Sequence, residues 1–136
     1  MKVAFATEDL QHVNAHFGWA RHIAIYEVTA KNSELLQVAE FDGDLQEDGN
    51  EDKLAPKLDI IADCAILCVA AIGGSGAARV VAKNIHPIRV PGTETIYQQI
   101  TKLQTVLAGT PPPWLRKALN KGVERSFDFE NEVAHG

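Results

Sequence analysis

The segment Asn14-Ala15-His16-Phe17-Gly18-Trp19 sets a histidine beside an aromatic residue and a glycine, between two stretches that read as strands. A connection on a rigid scaffold is where binding groups concentrate. A neutral imidazole at His16 can donate a ring nitrogen to iron, Gly18 lets backbone approach a bulky ligand, and Phe17 can anchor the loop from beneath. The same residues also suit an ordinary surface histidine in a turn. His12 on a plain loop, His22 beside Arg21 at a strand start and His86 before Pro87 carry less signal.

Cys64 and Cys68 are the second possibility for metal chemistry. Four residues of strand span roughly 13 Å, so both thiols share a face yet cannot meet at one iron; on a helix they could. The apolar run around them reads as a buried strand, which makes both core residues, with Cys64 at the strand edge the better metal candidate. Two cysteines without a C-x-x-C spacing cannot hold a conventional cysteine-ligated cluster within one chain. Any cluster would have few protein ligands, which favours release.

Gly73-Gly74-Ser75-Gly76 follows that strand and is expected to break the chain before a helix. Free N–H groups at Gly74, Ser75 and Gly76, with the positive end of a helix dipole, make an anion site, and Arg79 could add charge to it. The other reading is a tight turn that needs glycine for its geometry. The turn is no dinucleotide fingerprint, because Arg79 stands where the third glycine belongs, and no P-loop, because no Gly-Lys-Ser/Thr follows.

Catalysis is not expected. Glu8 and Asp9 lie past the first strand and no carboxylate interrupts residues 64–70, so a two-metal hydrolase lacks its ligands. No Ser/His/Asp or Cys/His frame is recognisable.

The elements that must position these groups follow from periodicity. Residues 2–7 and 21–28 read as strands, and 35–41 as a third, joined to the second by the turn-forming residues 29–33. The acidic stretch 42–52 has too few apolar anchors to pack and reads as a solvated loop. Leu54, Leu58 and Ile61 recur at helical spacing over 53–62, with Pro56 in the first turn. Residues 64–70 form a central strand, 77–84 a helix, 86–90 a short strand and 94–107 the clearest helix, with Ile96, Ile100, Leu103 and Leu107 on one face. Three meander strands followed by two strand–helix units imply an α/β fold: one domain with a mixed five-stranded sheet flanked by helices, of the ribonuclease H-like kind. Thr110 and Pro111 to Pro113 are expected to close the domain near residue 108. Residues 109–136 form a C-terminal extension, a short helix with an acidic, frayed tail.

Composition bounds the rest. With 136 residues, 46% hydrophobic and 23% charged, the chain supports one globular core. A formal net charge of −5 with no basic cluster argues against nucleic acid as a partner. Acidic Glu8 and Asp9 interrupt the N-terminus before a signal core can form, and no run approaches the roughly 18 apolar residues of a membrane span. A cytoplasmic, reducing location is expected.

His16-Phe17-Gly18, then Ile23-Ala24-Ile25-Tyr26-Glu27-Val28, Asp63-Cys64-Ala65-Ile66-Leu67 with Gly73-Gly74-Ser75-Gly76, and His86-Pro87-Ile88-Arg89-Val90, in that order and spacing, resemble the dinitrogenase iron–molybdenum cofactor-binding family over about residues 1–108. The resemblance implies a ribonuclease H-like fold and non-catalytic, transient binding of an iron–sulfur cofactor precursor or of the iron–molybdenum cofactor. It implies partners too: the enzyme that synthesises the cluster core and the scaffold on which the cofactor is assembled. It makes His16 the leading ligand. Two alternatives stay open from the residues alone: a regulatory module binding a nucleotide or other anion at the glycine turn, and an assembly factor that docks on proteins through the acidic loop.

Overall fold

The computed structural model describes residues 1–41 and 54–119. The expected acidic loop 42–52 and the acidic tail beyond residue 119 lie outside the described residues. The five strands are β1 (Lys2–Thr7), β2 (His22–Val28), β3 (Ser33–Glu40), β4 (Ile66–Val69) and β5 (His86–Arg89). The helices are α1 (Leu54–Ile60), α2 (Gly74–Ala82), α3 (Ile96–Ala108) and α4 (Pro113–Leu119), and a single 3₁₀ turn covers Phe17–Trp19.

The strands form one mixed sheet in the order β3-β2-β1-β4-β5. β1 runs antiparallel to β2 and parallel to β4, which is parallel to β5. Since β2 and β3 are also antiparallel, β2 alone opposes the common direction. The hairpin turn closes through the Thr29 N–H on the Asn32 carbonyl (2.8 Å) and the Asn32 N–H on the Thr29 hydroxyl (3.0 Å). That tight closure starts β3 at Ser33, two residues before its apolar run. Opposite Ile25 and Tyr26 the register jumps from Gln37 to Leu35; Leu36 is the extra residue of a bulge.

Alternation divides the core between the two faces of the sheet. Val3, Phe5, Ala24, Ile66 and Cys68 point toward Ile96, Ile100 and Leu103 of α3. Ala4, Ala6, Ile23, Ile25, Leu67 and Val69 point toward Leu58 and Ile61 of the α1 segment and Val80 of α2. At ~25 cal/mol per Å2 of apolar surface removed from water, two continuous layers of this kind supply the main folding force. α3 starts one residue after Thr95, whose hydroxyl accepts the Gln98 N–H while the Gln98 side chain accepts the Thr95 N–H, a reciprocal capping box.

Two expectations need correction. α2 starts at Gly74, not Ala77: Gly73 is the N-cap, and its carbonyl accepts the Ala77 N–H at 2.9 Å. The glycines therefore form the first helical turn. β4 is shorter than residues 64–70, because the Cys64 N–H bonds the Ile61 carbonyl (2.8 Å) and belongs to the turn leaving α1. Beyond residue 108, the expected short helix forms as α4 and packs on the sheet. Leu115 (1% exposed) and Ala118 (9%) of α4 join the α3-side core, and Trp114 stacks on His86 with ring centroids 4.0 Å apart.

Candidate functional site

The connections that leave the carboxyl ends of β1, β4 and β5 meet at one end of the sheet. Thr7 closes β1 by accepting the Leu10 N–H on its hydroxyl (2.9 Å), with Leu10 in the left-handed region at φ 64°. The Asp9 carboxylate accepts the N–H groups of Gln11 (2.9 Å) and His12 (2.8 Å) and pairs with the His12 ring (2.7 Å). Those bonds favour its ionised form and hold its pKa well below the usual carboxylate range.

The β1–β2 connection is pinned on both sides. The Val13 N–H bonds the Glu94 carbonyl (2.9 Å) and the Ile96 N–H bonds the Gln11 carbonyl (2.8 Å), which ties residues 11–13 to the start of α3. The Ala70 N–H bonds the Ala15 carbonyl (3.0 Å) and the Phe17 N–H bonds the Ala71 carbonyl (2.9 Å), which ties residues 15–17 to the segment leading into α2. His16 is thus held in extended conformation against Ala71 at the point where β1 and β4 diverge, the location that open α/β sheets use for ligands.

His16 is also the N-cap of the 3₁₀ turn, its Nδ1 accepting the Gly18 N–H at 3.0 Å. The approach there is close: a Cβ on Gly18 would stand 3.3 Å from Cε1 and 3.4 Å from Nδ1 of that ring, which would have to give by a few tenths of an ångström. The ring stacks on Trp19, with centroids 4.7 Å apart and planes 24° apart; Trp19 is 54% exposed. Desolvation, and after it the charge of Lys57, hold the imidazole below the ordinary histidine value, so it is neutral at pH 7. A neutral ring that accepts at Nδ1 carries its proton on Nε2. Phe17 is fully buried in the core shared with Leu58, Ile61 and Val80, where it anchors the turn.

Lys57 is the residue that sequence reasoning passed over. Its side chain is fully buried, and its ammonium donates to the carbonyls of Phe17 (3.1 Å) and Gly18 (2.9 Å). It also lies 5.2 Å from the centre of the Phe41 ring, a cation–π distance. Burial pushes its pKa down to about 8, with the Glu8 charge opposing the shift, so it remains mostly an ammonium at neutral pH. The signal was available: Leu54, Lys57, Leu58 and Ile61 fall at i, i+3, i+4 and i+7, which puts the lysine on the apolar stripe of the helix.

The structure brings the His16 turn and the α2 glycines together. A Cβ on Gly18 would meet Leu54 at 3.8 Å and one on Gly76 would meet the same side chain at 3.5 Å, so the two positions flank one leucine. Gly74 and Ser75 are exposed, Gly76 is buried, and Arg79 sits half-buried further along α2. The N–H groups of the first turn have no partners within the helix itself and form the positive end of its dipole.

Cys64 is not brought to this site. It is buried at 1% exposure before the start of β4, whereas His16 pairs beyond its end, with about 13 Å of strand between them. Cys68 faces the other side of the sheet, in the wall of an apolar cavity of about 280 Å3 that Ile88, Leu103, Trp114 and Leu115 also line. Burial pushes its thiol up to about 12, leaving it protonated and a poor metal ligand. Among the described residues no three of His, Cys, Asp and Glu gather closely enough to hold a metal ion. No helix among them is long and apolar enough to cross a membrane.

A mixed sheet with helices on both faces, whose β1 connection is tied to those leaving β4 and β5 and carries a neutral imidazole close to a buried cation, defines a small α/β domain organised around one end of its parallel strands. The chain belongs to the dinitrogenase iron–molybdenum cofactor family, whose sequence model matches residues 1–106. It is 61% identical over 133 residues to protein NifX of Herbaspirillum seropedicae, covering 98% of this chain and 91% of that one. With protein NifX of Sinorhizobium fredii it shares 41% identity over 138 aligned positions, covering 97% and 86%. The fold is also that of the crystal structure of PH0822, at a TM-score of 0.59 and 19% identity, with 77% of this chain and 89% of the other covered.

Proposed function

We propose that the chain is a non-catalytic carrier in the cytoplasm. It binds an anionic iron–sulfur precursor of the iron–molybdenum cofactor and passes it from the enzyme that synthesises the cluster core to the assembly scaffold. The observation that carries this reading is the pinned His16 turn, which sets one neutral imidazole beside the open first turn of α2 and above the charge of Lys57. His16 is the direct contact, Gly18 admits the cargo, and Phe17 anchors the turn. Gly74, Ser75 and Gly76 supply N–H groups, and Arg79 adds positive field. Few contacts, and no enclosing cage among the described residues, suit cargo that must be released. Cys64 takes no part, being a strand's length away.

Anaerobic loading of wild type and His16→Ala with purified precursor, followed by desalting and iron determination, tests the reading. Wild type is expected to retain iron, and His16→Ala, folded as judged by circular dichroism, to bind at least about tenfold more weakly. Equal retention by both proteins would remove His16 from the site. Heat on calorimetric titration with nucleotides, and no iron retained by wild type, would favour the anion-regulated alternative.

A further inference from the structure

A fully buried lysine on the apolar stripe of a helix is an expensive choice where methionine or leucine would pack without desolvating a charge. Among the described residues no carboxylate pairs with Lys57; its polar contacts are the carbonyls of Phe17 and Gly18. The first of these belongs to the same peptide unit as the Gly18 N–H, because the bond between Phe17 and Gly18 joins that carbonyl carbon to that nitrogen. In a trans peptide the two groups point in opposite directions, and the chain contains no cis bond among the described residues. The Lys57 ammonium therefore grips one end of the unit while the other end donates to Nδ1 of His16 (3.0 Å). A cation on the carbonyl polarises the unit and strengthens the N–H as a donor. Nε2 of His16 makes no hydrogen bond among the described residues.

We propose that Lys57 positions the site through this single peptide unit, holding the His16 ring as its Nε2–H tautomer, so that His16 meets the cargo as a hydrogen-bond donor to sulfide on an anionic cluster and not as an iron ligand. The inference rests on the carrier reading for its cargo but not for its geometry. Ligation of iron through Nε2 by a neutral ring would require the proton to move to Nδ1, where it would oppose the Gly18 N–H. The turn would have to open first. A donor contact needs no such rearrangement, and it is broken as readily as it is made.

The test reads the ring nitrogens of His16 in the 15N-labelled protein without cargo, by two-bond nitrogen–proton correlation. Wild type is expected to show an unprotonated Nδ1 and a protonated Nε2. In Lys57→Met that fixed pattern is expected to give way to an exchanging mixture of tautomers, with cargo affinity reduced about tenfold. Lys57→Gln, which keeps a donor without the charge, is expected to restore the Nε2–H form. A protonated Nδ1 in wild type would overturn the proposal, even if Lys57→Met failed to fold. An unchanged pattern in a folded Lys57→Met would overturn it too. In loaded wild type, a strong hyperfine coupling from a His16 nitrogen would show ligation and contradict the donor mode. Because the ring pattern is read without cargo, failure of wild type to retain iron would count against the carrier reading while leaving the peptide relay in place.

Discussion

Replacing Phe17 by alanine is expected to cost about 3–5 kcal/mol of folding stability and to remove cargo retention with it. The ring is fully buried among apolar side chains on the α1/α2 side of the sheet, so truncation leaves a cavity that packed neighbours fill only partly. Phe17 also carries the carbonyl that Lys57 grips and the N–H that bonds Ala71. Loosening it frees the turn that presents His16. A domain of this size has about 5–15 kcal/mol in total, and the loss corresponds to a fall of roughly 10–25 °C in Tm. Chemical denaturation and anaerobic retention measured on the same preparation check both halves. A cost below about 1 kcal/mol would mean that the turn is not anchored through this side chain.

Leu115→Ala is expected to show a comparable loss of stability with the site untouched. Leu115 is 1% exposed in the core on the α3 side, on the opposite face from the His16 turn, and loss of its buried methyl groups should cost about 2–5 kcal/mol. It borders the apolar cavity beside Cys68, so removing it enlarges an existing void. Iron retention per folded molecule should equal that of wild type. A stability change under about 0.5 kcal/mol would show that α4 is dispensable. Lost retention at unchanged stability would place cargo in this cavity and not at the sheet end.

The parts of the fold that sequence made legible are those whose signal is local. The apolar run around β4 and the Ile96, Ile100, Leu103 stripe of α3 follow directly from side-chain periodicity. α2 is different: its first turn is Gly74-Ser75-Gly76, and glycine offers no side chain from which a helix start can be told from a break. Leu35 and Leu36 read as strand residues, and nothing in that reading shows that both are exposed, at 49% and 44%. They lie at the edge of the sheet, where a bulge turns the strand.

The candidate site divides the same way. His16 and the glycines stand out by residue type. That they meet depends on backbone pairings between residues 15–17 and 70–71 and between 11–13 and 94–96, and such pairings leave no mark on side-chain pattern. Lys57 was legible in principle, as a charge on an apolar stripe, but only tertiary packing shows that it reaches the Phe17–Gly18 peptide and not solvent.

The most direct test of the account is where an iron–sulfur precursor lands. Purified precursor added anaerobically to 15N-labelled protein should shift or broaden the amide signals of residues 16–19 and 71–76 first and leave those of β3 and α4 unperturbed. Perturbation centred on Cys64 or on the cavity beside Cys68, or none at any residue, would contradict it.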